Sequence, residues 1–147
     1  MAKIVPLISS ATAGPLGVLH LPRLWLKVSL EARGKLADGY PGIGKGYDMM
    51  VISALNLNAD AVKKFITDSK PNYAAFEAWV KKQPGVKLDK ATIDKSNRAI
   101  MGYNHDDATR KGILSASGIS DESSVNHDAA DLNNLDDWYE FHQAELK

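Results

Sequence analysis

Apolar side chains recur every three to four positions along most of this chain, in short stretches each closed by glycine, proline, asparagine or aspartate. That period turns one stripe of a helix toward a core, whereas a half-buried strand alternates every second residue. From Pro22 to about Leu36, Leu24, Trp25, Val28 and Ala32 keep helical step with Leu21, and fraying is expected at Gly34. Pro22 suits the first turn, where its missing N–H is not needed. The segment from Asp38 to Gly46 holds four glycines and a proline in nine residues and predicts an irregular loop.

Further helices are expected over Met49–Leu55 with Asp48 as cap, over Ala59–Asp68 with Asn58 as cap, and over Tyr73–Lys82. Asp89 opens another, with Ile93, Asn97, Ile100 and Met101 in step. Asn104 is the expected cap of the next, with Asp106 and Asp107 in its first turn, where carboxylates complement the helix dipole, and Gly118 as its stop. Residues 119–134 are polar and read as an acidic loop. Residues 135–146 read as a C-terminal helix with Leu135, Trp138 and His142 aligned, and Trp25, Trp79 and Trp138 all sit at core spacing. Lys3–Ile8 and Gly17–Leu21 are the stretches that could be extended, and residues 1–20 are expected to be irregular. The prediction is an all-α, compact single-domain bundle of about six to seven short helices spanning 1–147, with a Gly/Pro-rich loop after the first long helix.

With 147 residues the chain can bury a core, and 44% hydrophobic with 24% charged residues excludes the composition of a disordered chain. The absence of cysteine excludes disulfides, thiolate metal sites and cysteine nucleophiles, and fits a reducing compartment. Met1–Leu21 is broken by Pro6, Gly14, Pro15 and Gly17 and does not read as a signal peptide, so a cytoplasmic location without membrane association is expected. Charge is balanced overall but unevenly placed: residues 1–102 carry 15 basic against 8 acidic side chains, and residues 103–147 carry 3 against 10. An acidic section packed across a basic one accounts for this more simply than nucleic-acid binding, because the lysines form no concentrated run. Pairing of subunits head to tail is a further way to use it, which leaves a homo-oligomer open.

Two segments repeat a short pattern: Asn104-His105-Asp106-Asp107-Ala108 and Asn126-His127-Asp128-Ala129-Ala130. Each supplies an imidazole and a carboxylate, the groups that ligate a divalent metal or form a general base with an orienting acid. Adjacent helical residues point about 100° apart, so a bare His-Asp step does not converge on one ion, and helix capping is the simpler use. Helical metal-dependent phosphohydrolases named for their His-Asp pair need further ligands, for which His20 and Asp131 can be nominated. No metal site and no cofactor is predicted.

The loop Tyr40-Pro41-Gly42-Ile43-Gly44-Lys45-Gly46 lacks the spacing of a P-loop or a dinucleotide fingerprint. What remains is a tight turn between helices, or an anion contact through backbone N–H groups and Lys45 at the start of the next helix. Around that loop His20, Arg23, Lys27, Tyr40, Tyr47 and Asp48 form a polar set. Arg23 and Lys27, four positions apart, share a helix face and can address one anionic group. The plainer use of that face is a solvated stripe with Lys27 paired to Glu31.

Leu21-Pro22-Arg23 followed by Lys27, then Gly34-Lys35-Leu36 with Tyr40 and Asp48, and later Glu77-Ala78-Trp79-Val80, resembles the bacterial family called domain of unknown function 5069. The resemblance covers roughly residues 1–80 plus a helical tail. It implies a compact bacterial protein and carries no activity from which a catalytic residue could be transferred.

These features lead to the expectation of a small cofactor-independent enzyme that moves a proton on a small, anionic organic molecule. His20, Tyr40, Asp48, His105 and Asp106 are the candidate catalytic residues, and Arg23, Lys27 and Lys45 the candidate substrate contacts. The alternatives are a non-catalytic interaction or self-association protein using its basic and acidic halves, and a divalent-metal-dependent hydrolase using the His-Asp pairs.

Overall fold

A computed structural model describes residues 2–147 as seven α-helices and a final π-helical turn. The helices are α1 (Leu21–Ala32), α2 (Tyr47–Ala54), α3 (Ala59–Ser69), α4 (Tyr73–Lys81), α5 (Lys90–Met101), α6 (Asp107–Ala116) and α7 (Ala129–Phe141), and the turn spans His142–Leu146. The all-α expectation holds. Among the described residues no strand forms, and the two stretches that could be extended contribute only isolated bridges, Ile4 with Leu36 and Ala13 with Leu19. No helix of the described residues is long and apolar enough to cross a membrane.

The start signals work through hydrogen bonds to first-turn amides. Asn58, Asn72 and Asp89 accept from the N–H groups of Ala61, Ala75 and Thr92, each satisfying a donor that the helix itself leaves open. Two expected caps lie elsewhere. Asp106, not Asn104, caps α6 by accepting from Thr109 N, while Asn104 pairs in an antiparallel bridge with Asp128. Asp48 lies inside the first turn of α2, buried, and its carboxylate is committed to other groups. At the end of α1, Gly34 takes φ +66° and lets the Lys35 amide fold back to the Leu30 carbonyl, so the helix stops at Ala32, short of Leu36.

The largest departure is at α7. Residues 129–134, expected in the acidic loop, are its first turns, because Ala129, Ala130 and Leu132 present a small apolar face that the core buries. Counting acidic residues hides that face. Trp138 is also turned outward, 62% exposed, and the neighbouring Asp137 takes the buried position at 3%.

Helix α1 sits centrally, touching α2, α3 and α4; α2 packs on α5, α5 on α7, and α6 on α7. Leu21, Leu24 and Val28 of α1 meet Val51 and Ile52 of α2, Val62 and Ile66 of α3, and Phe76 and Val80 of α4 in one core. The irregular first 20 residues are tied down by polar anchors in place of regular pairing. Asn97 accepts from Leu19 N and donates to the Gly17 carbonyl, Glu77 accepts from Leu16 N, and Arg23 donates to the carbonyls of Pro6 and Ile8. Buried backbone groups need such partners when no helix or sheet supplies them.

Candidate functional site

Where α1, the glycine-rich loop, α2 and α7 come together, they enclose an open cleft of about 290 Å³. His20, Arg23 and Lys27 come from the first turns of α1, Tyr40 and Gly44 to Asp48 from the loop and α2, Tyr103 and His105 from the α5–α6 connection, and Asn133 and Asp136 from α7. Residues far apart in the chain meet here. Of the residues singled out from sequence, His20, Tyr40, Asp48, His105, Arg23, Lys27 and Lys45 all line this cleft; Asp106 is an exposed helix cap and does not.

The floor is a pair of closed ionic clusters. Asp48 accepts from His20 Nε2 at 2.6 Å, from Lys27 Nζ at 2.5 Å and from the Gly44 amide at 2.7 Å. Burial alone pushes the Asp48 carboxyl up, but the His20 hydrogen bond and the Lys27 charge outweigh it and hold it below the ordinary carboxylate range. Burial pulls His20 below its ordinary value despite the Asp48 carboxylate, which works the other way. The ring is therefore neutral at pH 7. Its Nε2–H faces Asp48, and its Nδ1 accepts from the Ser10 hydroxyl at 2.9 Å. His20 also adopts φ +72°, a left-handed conformation that costs roughly 1–2 kcal/mol in a non-glycine residue and is held here by the buried Ser10 and Asp48 side chains and by the Thr12 carbonyl, which accepts from its amide.

The second cluster joins the basic and acidic sections. Arg23 grips Asp137 with two guanidinium nitrogens, at 2.6 and 3.1 Å, and Tyr40 donates its hydroxyl to the same carboxylate at 2.9 Å. Burial, followed by the Asp137 charge, pushes the Tyr40 hydroxyl far above its usual range, so it acts only as a donor. Arg23 and Lys27 thus share a face, as expected, but each is matched by a buried carboxylate. Lys27 pairs with Asp48 and not with Glu31, whose carboxylate accepts the Gly42 amide. The amides of Gly42 and Gly44, which an anion cradle would need, are thereby donated internally.

The walls differ from the floor. Lys45 stands exposed at the lip. Asp136 is half-buried and without a hydrogen bond or ion pair among the described residues. Burial first, then the charges of Asp137 and Glu140, push its carboxyl above the ordinary range. His105 donates Nε2–H to the Asn133 side-chain oxygen at 2.8 Å, which leaves Nδ1 as an acceptor. Tyr103 lies beside it, 40% exposed. Asp136, Asp137, Tyr103, Asn133 and Ser10 were not singled out by sequence reasoning. A buried Arg23 demands a carboxylate, but nothing in local spacing says that it comes from 114 positions away.

The repeated Asn-His-Asp segments meet each other. Asn104 bridges Asp128 and the Ala129 amide donates to the Tyr103 carbonyl, while His127 lies 3.3 Å from Asp121, away from the cleft residues. Among the described residues no group of three or more His, Asp or Glu side chains converges as a metal site. Asp131 is exposed and bonded to Asn126, whereas His20 is buried between Ser10 and Asp48. A second, larger hollow of about 540 Å³ lies along α7 and the final turn, lined by Leu7, Trp138, Phe141, His142 and Leu146, with Asp137 reaching it from the far side of the Arg23 pair. Comparison with protein-family models, with curated proteins and with solved structures gives no match in any of the three.

Proposed function

We propose that the cleft takes a small anionic organic molecule and moves a proton on it, with Asp136 as the acid/base group. The observation that supports this is a contrast between carboxylates: Asp136 lines the cleft with a raised affinity for its proton and no partner among the described residues, whereas Asp48 beside it, and Asp137 behind Arg23 and Tyr40, are fully engaged. A carboxyl whose proton affinity is raised by burial and like charge, and which no donor occupies, is suited to pass a proton to and from a bound molecule. His105, through Nδ1, is the second proton carrier, and Lys45 holds the anionic group. The His20–Asp48–Lys27 cluster shapes the floor and fixes the loop that carries Lys45. The resemblance to domain of unknown function 5069 adds no activity to this reading.

Proton transfer is tested without knowing the physiological substrate. A panel of small carbonyl acids is incubated with the protein in D₂O, and loss of the C–H signal next to the carbonyl is followed by NMR. Acceleration by the native chain and a drop of about 10²–10⁴-fold in Asp136→Asn are expected. Exchange at the buffer rate across the panel, or full activity in the variant, defeats the proposal.

A second reading, a self-association protein, is favoured by one observation: Leu7, Trp138 and Leu146, respectively 49%, 62% and 65% exposed, share the larger hollow. A second copy covering that face would give a dimer in sedimentation equilibrium that Trp138→Ser dissociates. A monomer at all concentrations removes this reading.

A further inference from the structure

The aromatic lining of the cleft carries the proposal one step further, to a substrate class; this step rests on the reading of the cleft as a small-anion site. Three of the five tyrosines in the chain, Tyr40, Tyr47 and Tyr103, line it together with the imidazoles of His20 and His105. All but Tyr40 form a continuous run of rings: His20 to Tyr47 at 5.4 Å, Tyr47 to Tyr103 at 5.3 Å and Tyr103 to His105 at 6.1 Å between centroids. The inner end is fixed, since Tyr47 is buried and donates its hydroxyl to the Ile100 carbonyl at 2.9 Å. The outer end is open, because Tyr103 remains 40% exposed although two rings back it. A tyrosine so held presents apolar area at little entropic cost, and aromatic partners prefer offset or edge-to-face contact with such a ring.

Size narrows the choice. An apolar cavity of about 150 Å³ suffices for a benzene ring, so a cleft of 290 Å³ takes one ring and a short substituent. At the lip Lys45 is exposed, and beside it Gly46 precedes the first turn of α2 as a cap without a side chain. We infer that the ligand is a single-ring aromatic or heteroaromatic acid, its ring packed against Tyr103 and its acid group toward Lys45.

Benzoate, cyclohexanecarboxylate and hexanoate, titrated separately into the ¹⁵N-labelled full chain, test this by amide shifts. Benzoate is expected to move the amides of residues 44–48 and 103–105 and to bind at least about threefold tighter than cyclohexanecarboxylate, the scale of an added aromatic contact. Tyr103→Leu should abolish that preference and Tyr103→Phe should keep it, with thermal melts confirming that both variants fold. Equal or tighter binding of cyclohexanecarboxylate, or a preference that survives Tyr103→Leu, overturns the aromatic assignment while leaving the small-anion cleft standing. If none of the three acids moves the cleft amides, both fall.

Discussion

The floor and the wall of the cleft use the same residue types to opposite ends. On the floor, each acidic side chain accepts three hydrogen bonds from other elements: Asp48 from His20, Lys27 and Gly44, and Asp137 from two nitrogens of Arg23 and the hydroxyl of Tyr40. On the wall, Asp136 lies one residue from Asp137 and has no such partner among the described residues, and Lys45 lies three residues from Asp48 and points to solvent. A carboxylate surrounded by donors is held ionised and locks elements together. One that is partly dehydrated beside like charge keeps its proton longer and stays available. Burial and charge alone therefore do not mark a reactive group; the number of donors already satisfied does.

The largest effect should follow from breaking a floor pair. Arg23→Ala leaves the Asp137 carboxylate buried with only Tyr40 as a donor, so unfolding free energy should drop by about 3–5 kcal/mol. At roughly 3 °C per kcal/mol for a chain of this size, the melting temperature falls by about 10 °C. A change under about 1 kcal/mol would mean that the pair is not the tie described.

Acidification attacks the floor next. His20 binds its proton less readily folded than unfolded, so its contribution is fully present above the unfolded value of 6.5 and is lost progressively as pH falls below it. Asp48 has the same sign, its contribution present above 3.8 and lost as pH falls through its lower folded value. Stability followed by denaturant titration should decline first below about pH 6.5, and His20→Gln should flatten that first decline while leaving the one below pH 4.

Changes on the wall should be mild, and one should have the reverse sign. Asp136→Asn removes a charge that Asp137 and Glu140 oppose, and should raise stability at pH 7 by under about 1 kcal/mol, a gain limited because solvent screens a half-exposed group. A loss of stability would show that Asp136 is a structural partner after all. Lys45→Ala should change stability by less than about 0.5 kcal/mol, and any larger effect would place Lys45 with the floor.

Much of the frame was legible because its signals are local. The stripe from Leu21 to Val28, the caps Asn58 and Asp89, and the break at Gly34 each act within a turn or two of the chain. The cleft was half legible. The nearness of His20, Lys27 and Asp48 follows from the direct connection of α1 to α2 through residues 33–46, so the polar set around Pro22–Asp48 could be nominated as a group. What could not be read is which members neutralise each other. That depends on the rotation of α7, which turns Asp137 inward and Trp138 outward against the expected register, because Arg23 waits at that point of the core. Likewise Asn104 reads as a cap by type, but its bridge to Asp128 is a long-range pairing that no helical period encodes.

Residue-specific carboxyl ¹³C titration of Asp48 and Asp136 tests the contrast most directly, since both signals come from one sample. Asp136 should titrate above 3.8 and Asp48 below it. An Asp136 midpoint at or under that of Asp48 would contradict the division between a closed floor and an available wall.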